Sequence, residues 1–297
     1  MSMSVNEFAR RSLFTAEEVS ALQEILANPE IMKMAQDIAD KCFIPDEKQD
    51  PPEYPESEEL SKAWFAAAFL GAEAAEMHYE KLGIPQETLL ESMSDLGIWI
   101  RNCKRNYGYY GLVQARGWQV SIYRGLVTRH GRLECNTCHF YQHDDITDNS
   151  GNVLLKKDDP VINLHIPEDG RMDMKSCGIS MQRMSNFFAE YRPDYDWKGF
   201  ICESWLLDPQ LKQMLPENSN IRKFMSLGYH YDLHESDGSI FRIFGSADPQ
   251  KIENPTTLQR KAAEFIKSGG VFRSGGFFIP RCNIEAVNYD LDRLVKE

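Results

Sequence analysis

The sequence predicts an α+β protein in which a helical N-terminal part is followed by a mixed α/β part. Up to about residue 130, apolar residues recur at helical spacing, as Leu89, Met93 and Leu96 do. After that point the apolar runs become short and are separated by glycine-, proline- and aspartate-rich turns, which is typical of strands. We therefore expect a helical domain over residues 1–120 and a strand-containing domain over residues 121–297.

The N-terminal part is predicted to be a series of helices. Residues 6–44 carry an apolar stripe, and Thr15-Ala-Glu-Glu18 has the pattern of a capping box. Residues 46–59 are acidic and proline-rich, which indicates a solvated loop. Three more helices are predicted from the spacing of their apolar residues, over 60–81, 87–105 and 112–128.

A strand, a turn and a long helix form the centre of the C-terminal part. The run Val161–Ile166 is apolar at most positions and lies between prolines, which predicts a buried strand. Pro167 and Gly170 mark the turn, and the helix follows over 173–191. Such a turn directs backbone N–H groups and the positive helix end at one place, where a phosphate binds well. An ordinary strand–helix connection is the alternative interpretation.

The remaining elements of the C-terminal part are assigned by pattern. Strands are predicted over 131–141, 153–157, 199–207 and 269–278, the last one interrupted by glycines. A hairpin is predicted from Tyr229–Glu235 and Ser239–Phe244, around the turn residues 236–238. Helices are predicted over 209–215, 219–227 and 256–267. The glycine pairs 269–270 and 275–276 match no nucleotide-binding fingerprint and are expected at turns or bulges.

Composition and charge exclude several classes of protein. The net charge is −12, and the first 118 residues hold 20 acidic against 11 basic residues, so nucleic acid is not an expected partner. The longest apolar stretch, 63–75, is too short to span a membrane, so no membrane partner is expected. The N-terminus lacks the pattern of a signal peptide, and the seven cysteines fit reduced thiols. We therefore expect a cytoplasmic protein.

A cysteine–histidine cluster raises the possibility of a metal site. Cys135 and Cys138 have the spacing of zinc ligands, and His139 and His143 follow them. However, no second ligand pair is evident elsewhere, and residues three apart on a strand face opposite sides. We therefore expect ordinary strand residues and no bound metal.

Polar residues inside the apolar strands are the candidate catalytic residues. Glu203 lies in the run 199–207 with Cys202 and Ser204 beside it, and His165 lies in the central strand. A carboxylate removed from water must find a partner or shift its pKa upward, which suits a general base. If the two strands are neighbours, the four side chains are expected to line one crevice. A hydrogen-bonded surface glutamate and a structural core histidine are the alternatives.

Several short motifs together resemble a known family. In order they are Leu82-Gly-Ile-Pro85, Tyr110-Gly-Leu112, Gly131-Arg-Leu133, Leu164-His-Ile-Pro167, Cys202-Glu-Ser-Trp-Leu-Leu-Asp-Pro209, Ser219-Asn-Ile221 and Thr257-Leu-Gln-Arg260. The set resembles the two-domain bacterial acyltransferase-like proteins, which have a helical N-terminal domain and a GNAT-like C-terminal domain. The resemblance extends over roughly residues 20–280.

The resemblance implies acyl-CoA as the co-substrate, and we expect it to be acetyl-CoA. In GNAT enzymes the strand before the main helix pairs with the pantetheine arm, and the next turn holds the pyrophosphate. Here those parts correspond to 163–167 and 170–178, and the next strand is expected to separate from the first. The implied CoA-binding residues are Asn163, Ile166, Gly170, Arg171, Lys175 and Gly178. The nearest match to the superfamily's pyrophosphate motif, Lys175–Ser180, departs from it at the first and last positions.

The resulting hypothesis is transfer of an acyl group, expected to be acetyl, from CoA to an amine of a small molecule or peptide. Glu203 or His165 would deprotonate the amine, and backbone amides near Ile166 would polarise the thioester carbonyl. One alternative is a ping-pong enzyme with Cys202 as the nucleophile and His165 as its base. The other is a catalytically silent GNAT-like module that binds a ligand or a partner. The sequence leaves the oligomeric state open.

Overall fold

The structure is a computed structural model that describes residues 3–44, 51–140, 144–235, 238–245 and 254–295. It divides into two compact units. The first unit contains Met1–His130 together with Pro167–Asp169, and the second contains Gly131–Ile166 together with Gly170–Glu297. Helices dominate the first unit, and the second combines a mixed sheet with helices, so the predicted α+β class is confirmed.

The first unit is built from six α-helices and one short π-helix among its described residues. They are α1 (Val5–Arg11), α2 (Ala16–Leu26), α3 (Pro29–Ile38), the π-helix Ala39–Phe43, α4 (Glu58–Lys81), α5 (Gln86–Tyr107) and α6 (Arg116–Tyr123). The capping box at the start of α2 is present, with Thr15 and Glu18 bonded to each other's backbone. The earliest strand in the described part of the chain is β1 (Val127–Arg129).

One predicted helix of the first unit is much shorter than expected. The apolar spacing predicts a helix over 112–128, but α6 extends only from Arg116 to Tyr123. Ala115 has a left-handed backbone (φ 59°), so the helix cannot begin earlier, and Gly125 (φ 65°) turns the chain after its end. Side-chain periodicity carries no information about these two backbone positions.

The core of the first unit is centred on α4. Its alanines and Phe65 are buried, and this allows neighbouring helices to approach closely. A Cβ added to Gly71 would lie 2.4 Å from Cβ of Phe43, so only glycine fits against the π-helix there. Within the described residues no helix has the length and apolar character that crossing a bilayer requires.

The second unit combines a mixed sheet with several helices. Its strands are β2 (Glu134–His139), β3 (Ile146–Thr147), β4 (Val153–Leu155), β5 (Pro160–His165), β6 (Gly199–Ser204), β7 (Tyr229–Glu235) and β8 (Arg273–Pro280). Its helices are α7 (Met174–Tyr191), α8 (Pro209–Met214), α9 (Asn220–Phe224), α10 (Gly238–Phe244), α11 (Thr257–Lys267) and α12 (Arg281–Ala286), with 3₁₀ turns at Trp205–Leu207 and Leu291–Arg293.

The main sheet of this unit has the strand order β2-β5-β6-β8-β7, and β3 and β4 form a separate pair. Only β5 and β6 are parallel in this order; the other neighbours are antiparallel. The long helix α7 connects β5 to β6, which is the crossover that a parallel pair requires. The predicted strand–turn–helix at the centre of the domain is therefore confirmed.

Both faces of the sheet carry buried side chains. One face carries a buried cluster with β3 and β4, formed by Phe140, Ile146, Leu155, Val161, Ile201 and Phe278. The other face carries Ile162, Leu164, Phe200, Cys202 and Phe277, all buried. The apolar stripe predicted on α7, which includes Met181 and Met184, is buried as expected.

Two predictions for the second unit are wrong. Residues 239–244 form the helix α10 instead of a hairpin strand, since Ile240, Ile243 and Phe244 also fit a helical stripe. The predicted turn residues 236 and 237 lie outside the described residues. Gly275 and Gly276 lie inside β8 instead of at a turn; a Cβ at Gly275 would meet the Leu207 carbonyl oxygen at 2.3 Å.

Candidate active site

The parallel ladder between β5 and β6 ends before either strand does. The ladder has two rungs, Ile162 with Phe200 and Asn163 with Ile201. β5 continues to His165 and β6 to Ser204, and every residue of both strands is described. β6 stays paired with β8 along its whole length, so the break concerns its β5 side alone. The ladder thus ends where the two strands were expected to part.

The polar candidates lie just past this end of the ladder. Paired residues on neighbouring strands point to the same face, and side chains alternate along a strand. His165 lies two residues after Asn163, and Glu203 lies two residues after Ile201. Therefore Asn163, His165 and Glu203 all occupy one face of the sheet. Ile201 lies on the same face and is buried.

His165 is half-buried, and a residue of the adjacent strand β2 contacts its ring. Its Nε2 lies 2.6 Å from Oδ1 of Asn136, a residue of the adjacent strand β2. Burial lowers the pKa of His165 from 6.5 to about 4, so the imidazole is neutral at physiological pH. A neutral imidazole in such a position is able to accept a proton.

Asn163 carries an unsatisfied acceptor beside this histidine. Its Oδ1 is buried and has no hydrogen-bond partner. A buried acceptor without a partner costs about 1–3 kcal/mol, so it is well suited to receive a donor from a bound molecule. Asn163 belongs to the last rung of the ladder, and its orphan oxygen therefore lies at the point where β5 and β6 stop pairing.

Glu203 is held by a tyrosine from the edge of the sheet. The Tyr231 hydroxyl of β7 donates to Oε1 of Glu203 at 3.1 Å. Burial and the neighbouring Glu203 raise the pKa of Tyr231 well above its usual value, so the phenol keeps its proton. Tyr231 reaches this position over Gly276, where an added Cβ would lie 2.3 Å from the tyrosine ring.

The expected single crevice of four residues is wrong. Cys202 and Ser204 alternate with Glu203 along β6, and they therefore lie on the opposite face from His165. Cys202 is 1% exposed, and burial raises the pKa of its thiol, with Glu203 as a further cause. Ser204 accepts a hydrogen bond from the Leu206 N–H and caps the following 3₁₀ turn. Cys202 thus lacks the adjacent base and the thiolate character of a nucleophile.

The turn before α7 gathers basic side chains. Gly170, Arg171 and Lys175 are all exposed there. Arg132 approaches from the start of β2 and donates to two successive carbonyls, Gly170 at 2.8 Å and Arg171 at 2.9 Å. The carboxylate of Asp173 caps α7 by accepting from the Ser176 N–H at 2.8 Å. The Ser176 N–H is thus already bonded to Asp173. A phosphate at this turn would have to bind backbone N–H groups that precede Ser176, together with the basic side chains Arg171 and Lys175.

The last two predicted CoA residues have different surroundings. Ile166 is half-buried and lies directly after β5, beyond the end of the ladder. Gly178 lies inside α7 and is buried, and an added Cβ would meet the Tyr289 carbonyl oxygen at 2.2 Å. A packing role accounts for the glycine at this position, since its backbone N–H lies within the helix and not at its free end.

The cysteine–histidine cluster is spread over the strand β2. Cys135 pairs with Leu164 and Cys138 with Val161, so the two thiols face opposite sides of the sheet. His143 lies outside the described residues. Among the residues that the structure describes, no group of three or more histidine, cysteine or acidic side chains is arranged to hold a metal ion.

Four residues of the site were not predicted as site residues from the sequence: Asn136, Arg132, Tyr231 and Gly276. Asn136 and Tyr231 lie on strands whose pairing partners are distant in the chain, so only the register reveals them. Arg132 belonged to a recognised motif, but its hydrogen bonds to the turn depend on the tertiary fold. For Gly276 the available signal was a glycine within an apolar strand, which often marks a close approach of another group.

Two family models match the chain. The model described as the N-acyltransferase N-terminal domain matches residues 3–125, and the model described as the GNAT-like C-terminal domain matches residues 127–278. Because the second model alone includes more than half of the chain, the chain belongs to the family with this GNAT-like C-terminal domain, here joined to an N-acyltransferase N-terminal domain. No match was found among the curated proteins.

Solved structures of acyltransferases share the fold. An acyltransferase in complex with decanoyl-CoA and teicoplanin aligns with a TM-score of 0.72 and 22% identity, over 93% of this chain and 88% of its own. A mutant acyltransferase in complex with octanoyl-CoA gives a TM-score of 0.72 and 21% identity over the same shares. An acyltransferase with decanoyl-CoA gives 0.63 and 21%, over 94% of this chain and 100% of its own. At these identities the similarity establishes the fold.

Proposed function

We propose that this protein is an N-acyltransferase that moves an acyl group from CoA to an amine. The observation that carries the proposal is that His165 and Glu203 occupy one face of the sheet, each two residues beyond the last rung of the β5–β6 ladder. Membership of the GNAT-like family supports the reaction class. A parallel ladder that stops early leaves room for an extended ligand arm with amide groups, because such an arm can hydrogen-bond to strand backbones.

The residues of this region fit a CoA thioester. The buried Oδ1 of Asn163 lacks a donor, and the pantetheine arm of CoA carries amide N–H groups. Arg171 and Lys175 supply positive charge to the turn before α7, where the pyrophosphate would bind. Arg132 fixes the turn by its two hydrogen bonds to the carbonyls of residues 170 and 171. When bound, CoA supplies an activated acyl group as a thioester.

The chain's own groups would handle the proton of the amine. His165 is neutral at physiological pH, since burial lowers its pKa to about 4, and it can therefore act as a general base. Glu203 is the second candidate for that role, directly or through a water molecule. Tyr231 donates to Glu203 and holds the carboxylate in one orientation, while its own pKa is raised by burial. A general base of this kind accelerates a reaction by about 10²–10⁴-fold.

The identity of the acyl group and that of the acceptor amine can be measured directly. The sequence favoured acetyl, whereas the structures that share the fold contain octanoyl-CoA and decanoyl-CoA. One of those acyltransferases binds the glycopeptide teicoplanin, so a peptide or small-molecule amine is the acceptor class to examine first. A thioester panel from acetyl to decanoyl therefore determines the chain length without a prior assumption.

Two assays on the full chain test the proposal. Calorimetry with CoA and with acetyl-, octanoyl- and decanoyl-CoA measures binding. Release of free CoA thiol with hydroxylamine, a small nucleophilic amine, measures transfer after the spontaneous release without the protein is subtracted. Binding of a thioester together with amine-dependent thiol release supports the proposed function. Tight binding without any transfer to hydroxylamine or to a panel of peptide amines contradicts the proposed transfer. Absence of binding to every thioester rejects the acyl-CoA function and leaves the silent module that binds another ligand or a partner.

A further inference from the structure

The contact between His165 and Asn136 links two adjacent strands diagonally. In the β2–β5 register His165 is opposite Glu134, and Asn136 is opposite Asn163. The imidazole nevertheless reaches back by one rung, so that Nε2 lies 2.6 Å from Oδ1 of Asn136. The bond is short for a contact between neutral groups, and it orients the ring on the face that carries Asn163 and Glu203.

The orientation of the Asn136 amide is fixed by a second bond. Its Nδ2 donates to the Thr137 carbonyl at 3.0 Å. Turning the amide over would set Oδ1 against that carbonyl oxygen, which is an unfavourable contact between two acceptors. The oxygen of Asn136 therefore faces His165. Because this oxygen only accepts hydrogen bonds, Nε2 of His165 must carry the hydrogen, and in the neutral ring the lone pair is then on Nδ1.

Charged and titratable groups face this histidine from the elements around it. Glu134 of β2 is opposite it in the register and is buried, Glu203 lies at the corresponding position of β6, and Cys138 of β2 shares the same face. Tyr231 of β7 binds Glu203 from the far side. The hydrogen bond at Nε2 itself is with Asn136.

We propose that Asn136 is a positioning residue that holds His165 in the tautomer with hydrogen on Nε2, so that Nδ1 accepts the proton of the acceptor amine. This inference rests on the proposed function. In the reaction the C–N bond of the new amide forms while the thioester C–S bond breaks. The proton that leaves the nitrogen goes to Nδ1 and ends on the departing sulfur, so the products are the amide and the free thiol.

A spectroscopic experiment tests the tautomer without any substrate. The full chain is labelled with ¹⁵N-histidine, and His165→Gln assigns the ring signals of His165. At neutral pH we expect wild-type Nε2 to be protonated and Nδ1 to be of the unprotonated, pyridine type. Asn136→Ala should produce a mixture of tautomers, whereas the exposed control Asn152→Ala should not change the spectrum. A wild-type ring with hydrogen on Nδ1 would overturn the inference, whether or not the protein is an enzyme.

Kinetics with hydroxylamine and the best-bound thioester add a second test. Asn136→Ala should lower kcat by about 10- to 100-fold, a part of what a general base contributes, with KM changed less than about threefold. Asn136→Asp still accepts from Nε2, so it should retain most of kcat and shift the acid limb of the pH profile upward. Equal kcat for wild type and Asn136→Ala would contradict the positioning role, whereas a wild type without any turnover would reject the proposed function alone.

Discussion

His165 and Glu203 lie on the same face of the sheet, each two residues beyond the last rung of the parallel ladder between their strands. The two side chains are held from opposite sides, His165 by Asn136 of β2 and Glu203 by Tyr231 of β7. Four strands thus contribute to one polar group next to a buried apolar cluster. This arrangement holds an imidazole and a carboxylate beyond the last rung of the β5–β6 ladder.

Replacing Arg171 should weaken CoA binding and leave the chemistry intact. Arg171 is exposed in the turn before α7, and its guanidinium would pair with a pyrophosphate. Loss of one charge-assisted bond costs about 1.5–3 kcal/mol, or roughly ten- to a hundredfold in Kd. Calorimetry with Arg171→Ala measures this change. The exposed Lys157→Ala, which removes the same charge elsewhere, should bind as wild type does; equal Kd values for all three proteins would exclude the turn as the pyrophosphate site.

Cys202 should be dispensable for catalysis. It is buried on the face opposite His165, so we expect Cys202→Ala to keep kcat within about threefold while losing about 1 kcal/mol of stability from the missing sulfur contacts. Mass spectrometry of the wild type quenched during turnover should show no acyl group on the protein. An acylated Cys202, together with loss of turnover in Cys202→Ala, would restore the ping-pong mechanism.

Gly276 should be required for the position of Tyr231. A Cβ at this position would lie 2.3 Å from the tyrosine ring, so Gly276→Ala must move the ring away from Glu203. We expect a loss of about 1–3 kcal/mol in the free energy of unfolding and a lower kcat. Urea unfolding and thiol release measure the two effects. Gly117→Ala on α6, where no neighbour lies within 4 Å, is the matched control and should lower neither quantity. Unchanged kcat in Gly276→Ala would show that Tyr231 has no part in turnover.

Burial of His165 should make the protein less stable in acid. The pKa of His165 is 6.5 in the unfolded chain and about 4 in the folded one. The unfolded chain therefore binds more protons between these values, and stability falls as the pH drops from 6.5 to 4, by on the order of 3 kcal/mol. Urea unfolding at pH 7 and pH 4.5 should show a smaller acid loss in His165→Gln than in wild type. The exposed His139→Gln should behave as wild type; an identical acid loss in all three would contradict the burial argument.

Much of the fold was predictable because its signals are local. Helical stripes such as that of α7 and the capping box at Thr15 depend on residues a few positions apart, and both are confirmed. The errors had two causes. The positive φ of Ala115 prevents α6 from beginning earlier, and side-chain spacing does not predict it. The short apolar run at 239–244 fits both the strand period and the helix period. The proposed domain division into 1–120 and 121–297 stays a prediction.

The candidate site was predictable only in part. His165 and Glu203 stood out because each is polar within an apolar strand, a local feature. Their partners Asn136 and Tyr231 come from the strands β2 and β7. Which strands are neighbours, and which face of the sheet Cys202 lies on, depends on strand register, and a single sequence does not reveal it. The assignment of catalytic roles to these residues remains our proposal.

The central claim is that His165 or Glu203 removes the proton from the acceptor amine. Single-turnover release of CoA thiol, measured with enzyme saturated by the best-bound thioester and with hydroxylamine, tests it most directly in the double variant His165→Gln/Glu203→Gln. Our account predicts a rate at least about 10²-fold below wild type, with thioester Kd within about threefold. The exposed pair His139→Gln/Glu285→Gln serves as the control and should react at the wild-type rate. A double variant that releases thiol as fast as wild type would contradict the account.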